Sequence, residues 1–292
     1  MMAALRPHAG RPYTAAMTAH ASPANPSERL VFIGGGNMAG AILGGLIGAG
    51  RDRDSVVVVE PHAQQAALVR EKFGVRVEAA GGPALEGATT VVWAVKPQVF
   101  PDAAAPCAAW LRGALQVSVM AGVRSETIAA ATGSERIVRT MPNTPALIGQ
   151  GIAGLYARPA VTAADRATVE TLLAPTGQTL WVQDEADLDA VTALSGSGPA
   201  YVFYFVEAMM QAAAGMGLDA AQGRRLALAT FRGATALAES SDDTPETLRA
   251  RVTSKGGTTH AAITTMESLG VKEAIVKAVL AAQARARELG QA

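Results

Sequence analysis

From Leu30 to Gln183 the sequence alternates short apolar runs with segments of helical spacing, and no other feature constrains the fold as tightly. RLVFIGGG ends the first run in glycine. VVVVE (56–60), VRVEA (75–79), TTVVWAVKP (89–97), LQVSVMAG (115–122), ERIVRTMPN (135–143), GIAGLYA (151–157) and QTLWVQ (178–183) supply the others. Helical spacing fills the gaps in NMAGAILGGLIGAG, PHAQQAALVREKF, residues 98–112 and ADRATVETLLA. Strands alternating with helices predict a mostly parallel sheet covered on both faces. After about Asp184 the strand pattern stops. LDAVTALSGSGPAYVFYFVEAMMQAAAGMGL is helical apart from a break at Gly196–Pro199, and DAAQGRRLALATFRGATALAESS is a second helix. Thr244, Pro245 and Glu246 read as the cap and first residues of a short third helix. Two further helical runs, to about Gly270 and to Leu289, complete an all-helical domain.

Composition removes several function classes. Lys plus Arg and Asp plus Glu are balanced at 25 each, so no attraction to nucleic acid or acidic lipid is expected. No apolar run reaches the roughly 18 residues of a membrane span. A single cysteine, Cys107, fits a reducing compartment and reads as a small buried hydrophobe. The Ala- and Pro-rich residues 1–28 lack a continuous apolar core, so they read as a flexible extension rather than a signal peptide, with Met17 a candidate native start. No metal-ligand cluster stands out.

Gly34-x-Gly36-x-x-Ala39 follows a strand and opens a helix, the context a dinucleotide fingerprint requires. The first glycine permits the turn, the second lets a pyrophosphate approach the backbone, and the small Ala39 lets helix and strand pack closely. Free N–H groups and the helix dipole then face the phosphates. Glu60 ends the second strand, where an acid can bond a ribose 2′-hydroxyl; a merely solvated carboxylate is an equally open reading. Ligands of open sheets sit beyond the carboxyl ends of strands, which places Ala94–Pro97, with Lys96, and Met120–Gly122 on the cofactor side.

Near the other end, TSKGGTTH (253–260) carries two adjacent glycines, four hydroxyls and a lysine. Paired glycines let successive N–H groups converge on an anion, a following helix N-terminus adds its dipole, and Ser254, Thr258 and Thr259 add rotatable donors. The loop suits a small carboxylate. Met209 and Met210 read as packing residues; Glu207 reads as structural rather than as an acid reaching the site across a dimer, and His260, next to Thr259, is open to facing the loop or pointing away from it.

IGGGNMA (33–39), AVKP (94–97), RTMPNTP (139–145), LSGSGPAYVF (194–203) and TSKGGTT (253–259) occur in this order, and together they resemble pyrroline-5-carboxylate reductase over residues 29 to about 290. The resemblance implies an α/β chain with a Rossmann-type doubly wound sheet at 29–184 and a helical substrate and dimerisation domain at 185–292. It implies NADPH or NADH as cofactor, 1-pyrroline-5-carboxylate as substrate, L-proline as product and a cytoplasmic homodimer that assembles further, commonly to a decamer. Dimers of this family exchange helical domains. By the same resemblance Ser254, Gly256, Gly257 and Thr258 hold the substrate carboxylate and Thr259 reaches the ring nitrogen, while Glu185 and Ser197 line the pocket. Asn37, Met38, Ala94, Val95, Lys96, Pro97 and Ala121 match cofactor contacts. Two departures stand out: Lys255 replaces the family's usual proline, and Gly81-Gly82 replaces a common asparagine. A related hydroxyacid dehydrogenase or imine reductase would normally carry a lysine in the long interdomain helix, absent from SGSGPAYVFYFVEAMM. A non-catalytic dinucleotide-binding regulator would keep GGGNMA but have no use for GGTT.

Overall fold

The computed structural model describes residues 28–290, so residues 1–27 of the extension, Met17 among them, lie outside the described residues, while its last residue, Glu28, is bonded by Arg51. Eight strands form one sheet in the order β3-β2-β1-β4-β5-β6-β7-β8. They are β1 (Leu30–Ile33), β2 (Val56–Val59), β3 (Arg76–Glu78), β4 (Thr90–Trp93), β5 (Leu115–Ser118), β6 (Ile137–Met141), β7 (Gly151–Ala157) and β8 (Gly177–Trp181). The first six are parallel; β7 pairs antiparallel with β6, and β8 runs parallel to β7. The β6–β7 link is too short for a parallel crossover, which needs a dozen or more residues.

Helices cover both faces: α1 (Asn37–Gly48), α2 (Ala63–Phe73) and α6 (Ala163–Leu173) on one, and α3 (Phe100–Ala104), α4 (Ala108–Leu111) and α5 (Ser125–Thr132) on the other. Alternation within each strand divides its side chains between the two cores. Leu30, Phe32, Val56 and Val58 join Ile42, Leu43 and Leu173, while Val31, Ile33, Val57 and Val59 join Trp93, Phe100 and Leu111. Burial on both sides is why these strands read as unbroken apolar runs. Full burial of each such side chain is worth about 1.5–3 kcal/mol.

The single helix expected over 98–112 is instead two short ones. Pro101 is accommodated in the first turn of α3, but Pro106 has no N–H to extend it, so the chain turns before α4 begins. Cys107 lies at that break, fully buried, and burial pushes its thiol up to about 11.

Beyond β8 the described chain is helical: α7 (Asp187–Val191), a π-helical turn at Thr192–Gly196, α8 (Gly198–Gly215), α9 (Ala220–Glu239), α10 (Pro245–Arg251), α11 (Thr258–Ser268) and α12 (Val271–Leu289). Thr244 caps α10 by accepting from Thr247 N, as the sequence predicts. α8 packs on α9, and α12 returns to α7 and the π-helical turn. Little else is buried. The twenty residues of α9 bury only Gly223 and Ala227, and α10 and α11 bury none. Most large apolar side chains left exposed, including Phe203, Tyr204, Leu237, Leu269 and Leu280, lie between Leu194 and Leu289. No described helix is long and apolar enough to cross a membrane.

Trp93 closes β4 immediately before the Ala94–Pro97 turn. Its Nε1 donates to Gln116 Oε1 (2.8 Å), and Gln116 Nε2 donates to Leu111 O and Ala114 O, all fully buried. Gln116→Leu is expected to lower unfolding stability by about 1–3 kcal/mol by stranding the indole N–H and removing the side-chain donor to Ala114 O, while Leu111 O keeps its bond from Ala114 N; denaturant midpoints of the two proteins check this.

Candidate active site

The carboxyl ends of β1, β4, β5 and β6 lie side by side, with the strand order reversing between β1 and β4. Such a reversal opens a crevice for a ligand. Gly34 sits at that point with φ +100, and a Cβ there would stand 2.6 Å from Ala94 O. Only glycine lets the β1 turn press against the end of β4. Gly36 is different: its φ is −73, and a Cβ there would meet nothing within 4 Å. The space it leaves is outward, over the N-terminus of α1, which has no side-chain cap. Ala39 is fully buried behind it. An open backbone at an uncapped helix start is what a pyrophosphate fits.

The remaining cofactor-side candidates share this edge. Asn37, Lys96 and Ala121 are exposed; Met38, Ala94, Val95 and Pro97 are half-buried. Gly122, at φ +77, would place a Cβ 3.1 Å from Leu289 O, so the C-terminus of α12 rests on the turn after β5. Glu60 is almost enclosed, at 6% exposure, and is not a solvated strand-end carboxylate. Its Oε2 accepts from Gly35 N at 2.9 Å and its Oε1 from His62 N at 3.0 Å. Gln65 Nε2 donates to Gly35 O, so the middle glycine is held on both sides.

The twin-glycine turn joins α10 to α11. Gly256 has φ +76 with open space about it, and Gly257 N donates to Ser254 O (3.0 Å). Gly257 precedes the first turn of α11, which carries no side-chain cap and no acidic residue. Ser254, Lys255 and Thr258 are exposed and Thr259 half-buried. Among the described residues, the hydrogen bonds of this turn run only to its own two helices.

Ser197 precedes α8 and its N–H donates to Thr192 O (2.8 Å). The RTMPNTP and GSGPAY stretches meet here: Asn143 Nδ2 donates to Ser195 O, Asn143 Oδ1 accepts from Ile152 N, and a Cβ on Gly196 would stand 2.7 Å from Met141 Cε. Glu185 lies at the junction of sheet and helices, with both oxygens engaged. Oε1 accepts from Ser125 N (2.7 Å) and Arg139 Nη1 (2.8 Å), and Oε2 from Ser125 Oγ (2.7 Å). Burial opposes its ionisation, but the Ser125 hydroxyl and amide and Arg139 outweigh it, holding the carboxyl below the usual carboxylate range. Burial also lowers the Arg139 guanidinium from its ordinary value, partly offset by Glu185. Arg124 pairs beside them with buried Asp189 (2.8 Å). Roles for Ser125, Arg139 and Asn143 were not read from the sequence, although RTMPNTP contains two of the three. Their partners lie about 45 to 60 residues away or, for Asn143, across a turn, and no local pattern announces them.

Gly36→Ala is expected to fold with an unchanged melting temperature but to bind dinucleotide at least tenfold more weakly, whereas Gly34→Ala is expected to lower the melting temperature. Calorimetric titration beside a thermal melt separates the two. Glu185, with its lowered pKa, stabilises the junction fully above the ordinary carboxylate range of about 4, and this contribution is lost as pH falls through the lower folded value. Melting temperatures of wild type and Glu185→Gln, taken downward from pH 7, are expected to converge in acid.

A family model described as pyrroline-5-carboxylate reductase dimerisation matches residues 185–289, and one described as NADP oxidoreductase, coenzyme F420-dependent, matches 29–122. A pyrroline-5-carboxylate reductase of Pseudomonas aeruginosa is 41% identical over 91% of this chain and 98% of its own length. One from Pisum sativum is 34% identical over 90% and 96%. Among solved structures, the pyrroline-5-carboxylate reductase of Coxiella burnetii superposes with a TM-score of 0.84 at 35% identity, covering 90% of this chain and 98% of the other. The Plasmodium falciparum enzyme, solved with NADP bound, gives 0.81 at 26% identity over 90% and 98%. With a Rossmann-type sheet followed by a helical dimerisation domain, the chain belongs to the pyrroline-5-carboxylate reductase family.

Proposed function

We propose that this chain reduces the C=N bond of 1-pyrroline-5-carboxylate to give L-proline, at a site that joins the carboxyl edge of one protomer's sheet to the twin-glycine turn of its partner. The observation that carries this reading is the presence of two open glycine turns, at Gly36 and at Gly256–Gly257, each leading into a helix without a side-chain cap, on a chain whose α9–α11 segment buries almost nothing by itself. The division at 184/185 is supported by the sheet ending at Trp181 and by the dimerisation match starting at 185.

Gly34, Gly36, Asn37, Met38 and Ala39 would hold the dinucleotide phosphates, with Ala94–Pro97 and Ala121 beside its nicotinamide half and Glu60 toward its ribose. NAD(P)H, when bound, supplies the hydride. Ser254, Gly256, Gly257 and Thr258 fix the substrate carboxylate with backbone and hydroxyl donors at the start of α11. Thr259, one residue further, directs its hydroxyl to the ring nitrogen. Ser197 lines the pocket. Glu185 acts on it at one remove, by anchoring α7 to the sheet through Ser125 and Arg139. An imine that arrives protonated needs no strong acid, and none stands in these motifs. The protein's part is orientation and a polar enclosure. Lys255 adds a positive charge beside the carboxylate cradle.

We also place the enzyme in the cytoplasm, a reading supported by its single, buried cysteine. Assembly beyond the dimer, to a decamer, follows from the family resemblance; light scattering on the purified protein reads it directly.

Oxidation of NADH or NADPH in the presence of pyrroline-5-carboxylate tests the activity, and its absence with both cofactors would overturn it. Thr259→Ala is expected to reduce turnover without abolishing it. Gly36→Asp and the triple alanine variant of Ser254, Thr258 and Thr259 are each expected to be inactive. Co-expressed, they are expected to recover about a quarter of wild-type activity, because half of randomly paired dimers carry one intact site of two. No recovery would place both halves of the site on one protomer.

A further inference from the structure

We propose that Glu60 makes this chain select the unphosphorylated dinucleotide, NADH, over NADPH. The proposal rests on the dinucleotide site placed above at Gly36. β2 is fixed between β1 and β3, and Glu60 N continues its ladder by donating to Glu78 O (2.9 Å). From that point the side chain folds back under the glycine turn, where its two oxygens accept from Gly35 N and His62 N. The carboxylate therefore has one position, set by backbone donors on both sides, adjacent to the Gly36 cradle. A carboxylate oxygen accepts more than one hydrogen bond, so capacity remains for a 2′-hydroxyl. A dinucleotide whose pyrophosphate lies over Gly36 brings its adenosine ribose down beside the end of the second strand. A 2′-phosphate there would place a second anion against a negative charge that cannot swing away.

A chain built for the phosphorylated cofactor would offset this with free cations. Here every arginine and lysine from Arg51 to Arg76 is already engaged. Arg51 bonds Glu28 and Ser55, Arg53 bonds Phe73 O, Arg70 bonds Val77 O, Lys72 lies over the Phe73 ring, and Arg76 pairs with Glu78. His62, exposed at the start of α2, is the remaining candidate for a phosphate partner. The Plasmodium falciparum relative was solved with NADP, so the inferred preference is a property of this chain's own β2 end.

Calorimetric titration of the purified protein without substrate tests this, using NADH and NADPH in parallel and steady-state kcat/KM as a second readout. The expected result is binding of NADH at least about tenfold tighter than NADPH, from like-charge exclusion. Glu60→Gln keeps an oxygen for Gly35 N and removes the charge; it is expected to shrink that ratio toward one, and His62→Ala to leave it unchanged. Equal affinities or an NADPH preference in the wild-type protein would overturn the proposal while leaving the dinucleotide site intact. So would a Glu60→Gln protein that weakens both cofactors equally and keeps the ratio, since that is the signature of a purely structural acid. Binding of neither cofactor would remove the site itself, and the proposal with it.

Discussion

The contact between the β1 turn and the end of β4 decides where everything else can stand. Gly34 lets the chain leave β1 against Ala94 O with no side chain between. Any Cβ there would push the two strand ends apart at the point where the order of the sheet reverses. Because they stay together, the uncapped start of α1, the Ala94–Pro97 turn and the turn after β5 face one crevice. Glu60 secures the same turn from below through Gly35 N. Steric permission at one glycine and a buried carboxylate at the next thus shape this edge of the sheet.

A second fixed point joins the two halves of the chain. Glu185 opens the helical half, yet its bonds run to Ser125 and Arg139 on the sheet side. Arg139 is nearly enclosed, at 4% exposure, and an enclosed guanidinium left without its carboxylate would be costly. Asn143 makes a parallel tie to the π-helical turn at Ser195 O. These bonds hold α7, and through it α12, over the carboxyl edge while α9–α11 are left to pack elsewhere.

Much of this was legible in the residues. All eight strands are where the short runs put them: β1, β2 and β4 are buried on both faces and read as nearly unbroken apolar runs, while β3 and β8, at the two edges of the sheet, alternate and are legible from their β-branched and aromatic residues. The helix start at Thr244 was readable because a cap is a local hydrogen bond. Residues 98–112 misled because small apolar side chains keep helical spacing across Pro106, whose missing N–H matters more than the pattern around it. The reversal of β7 was readable in principle from the short link after Met141. The junction network was not, because it depends on which strand ends become neighbours in space. RTMPNTP marked the place without disclosing its partners. Glu60 could be placed at a strand end from the residues alone, but not its surroundings; only the fold shows the carboxylate turned inward onto two amides.

The sparsely buried α9–α11 segment has a thermodynamic consequence. Its apolar faces must be covered by a second copy of the chain, so part of the free energy of folding is free energy of association. The apparent melting temperature should therefore climb with protein concentration, and dilution should erode both folded helix and turnover along a single mass-action curve.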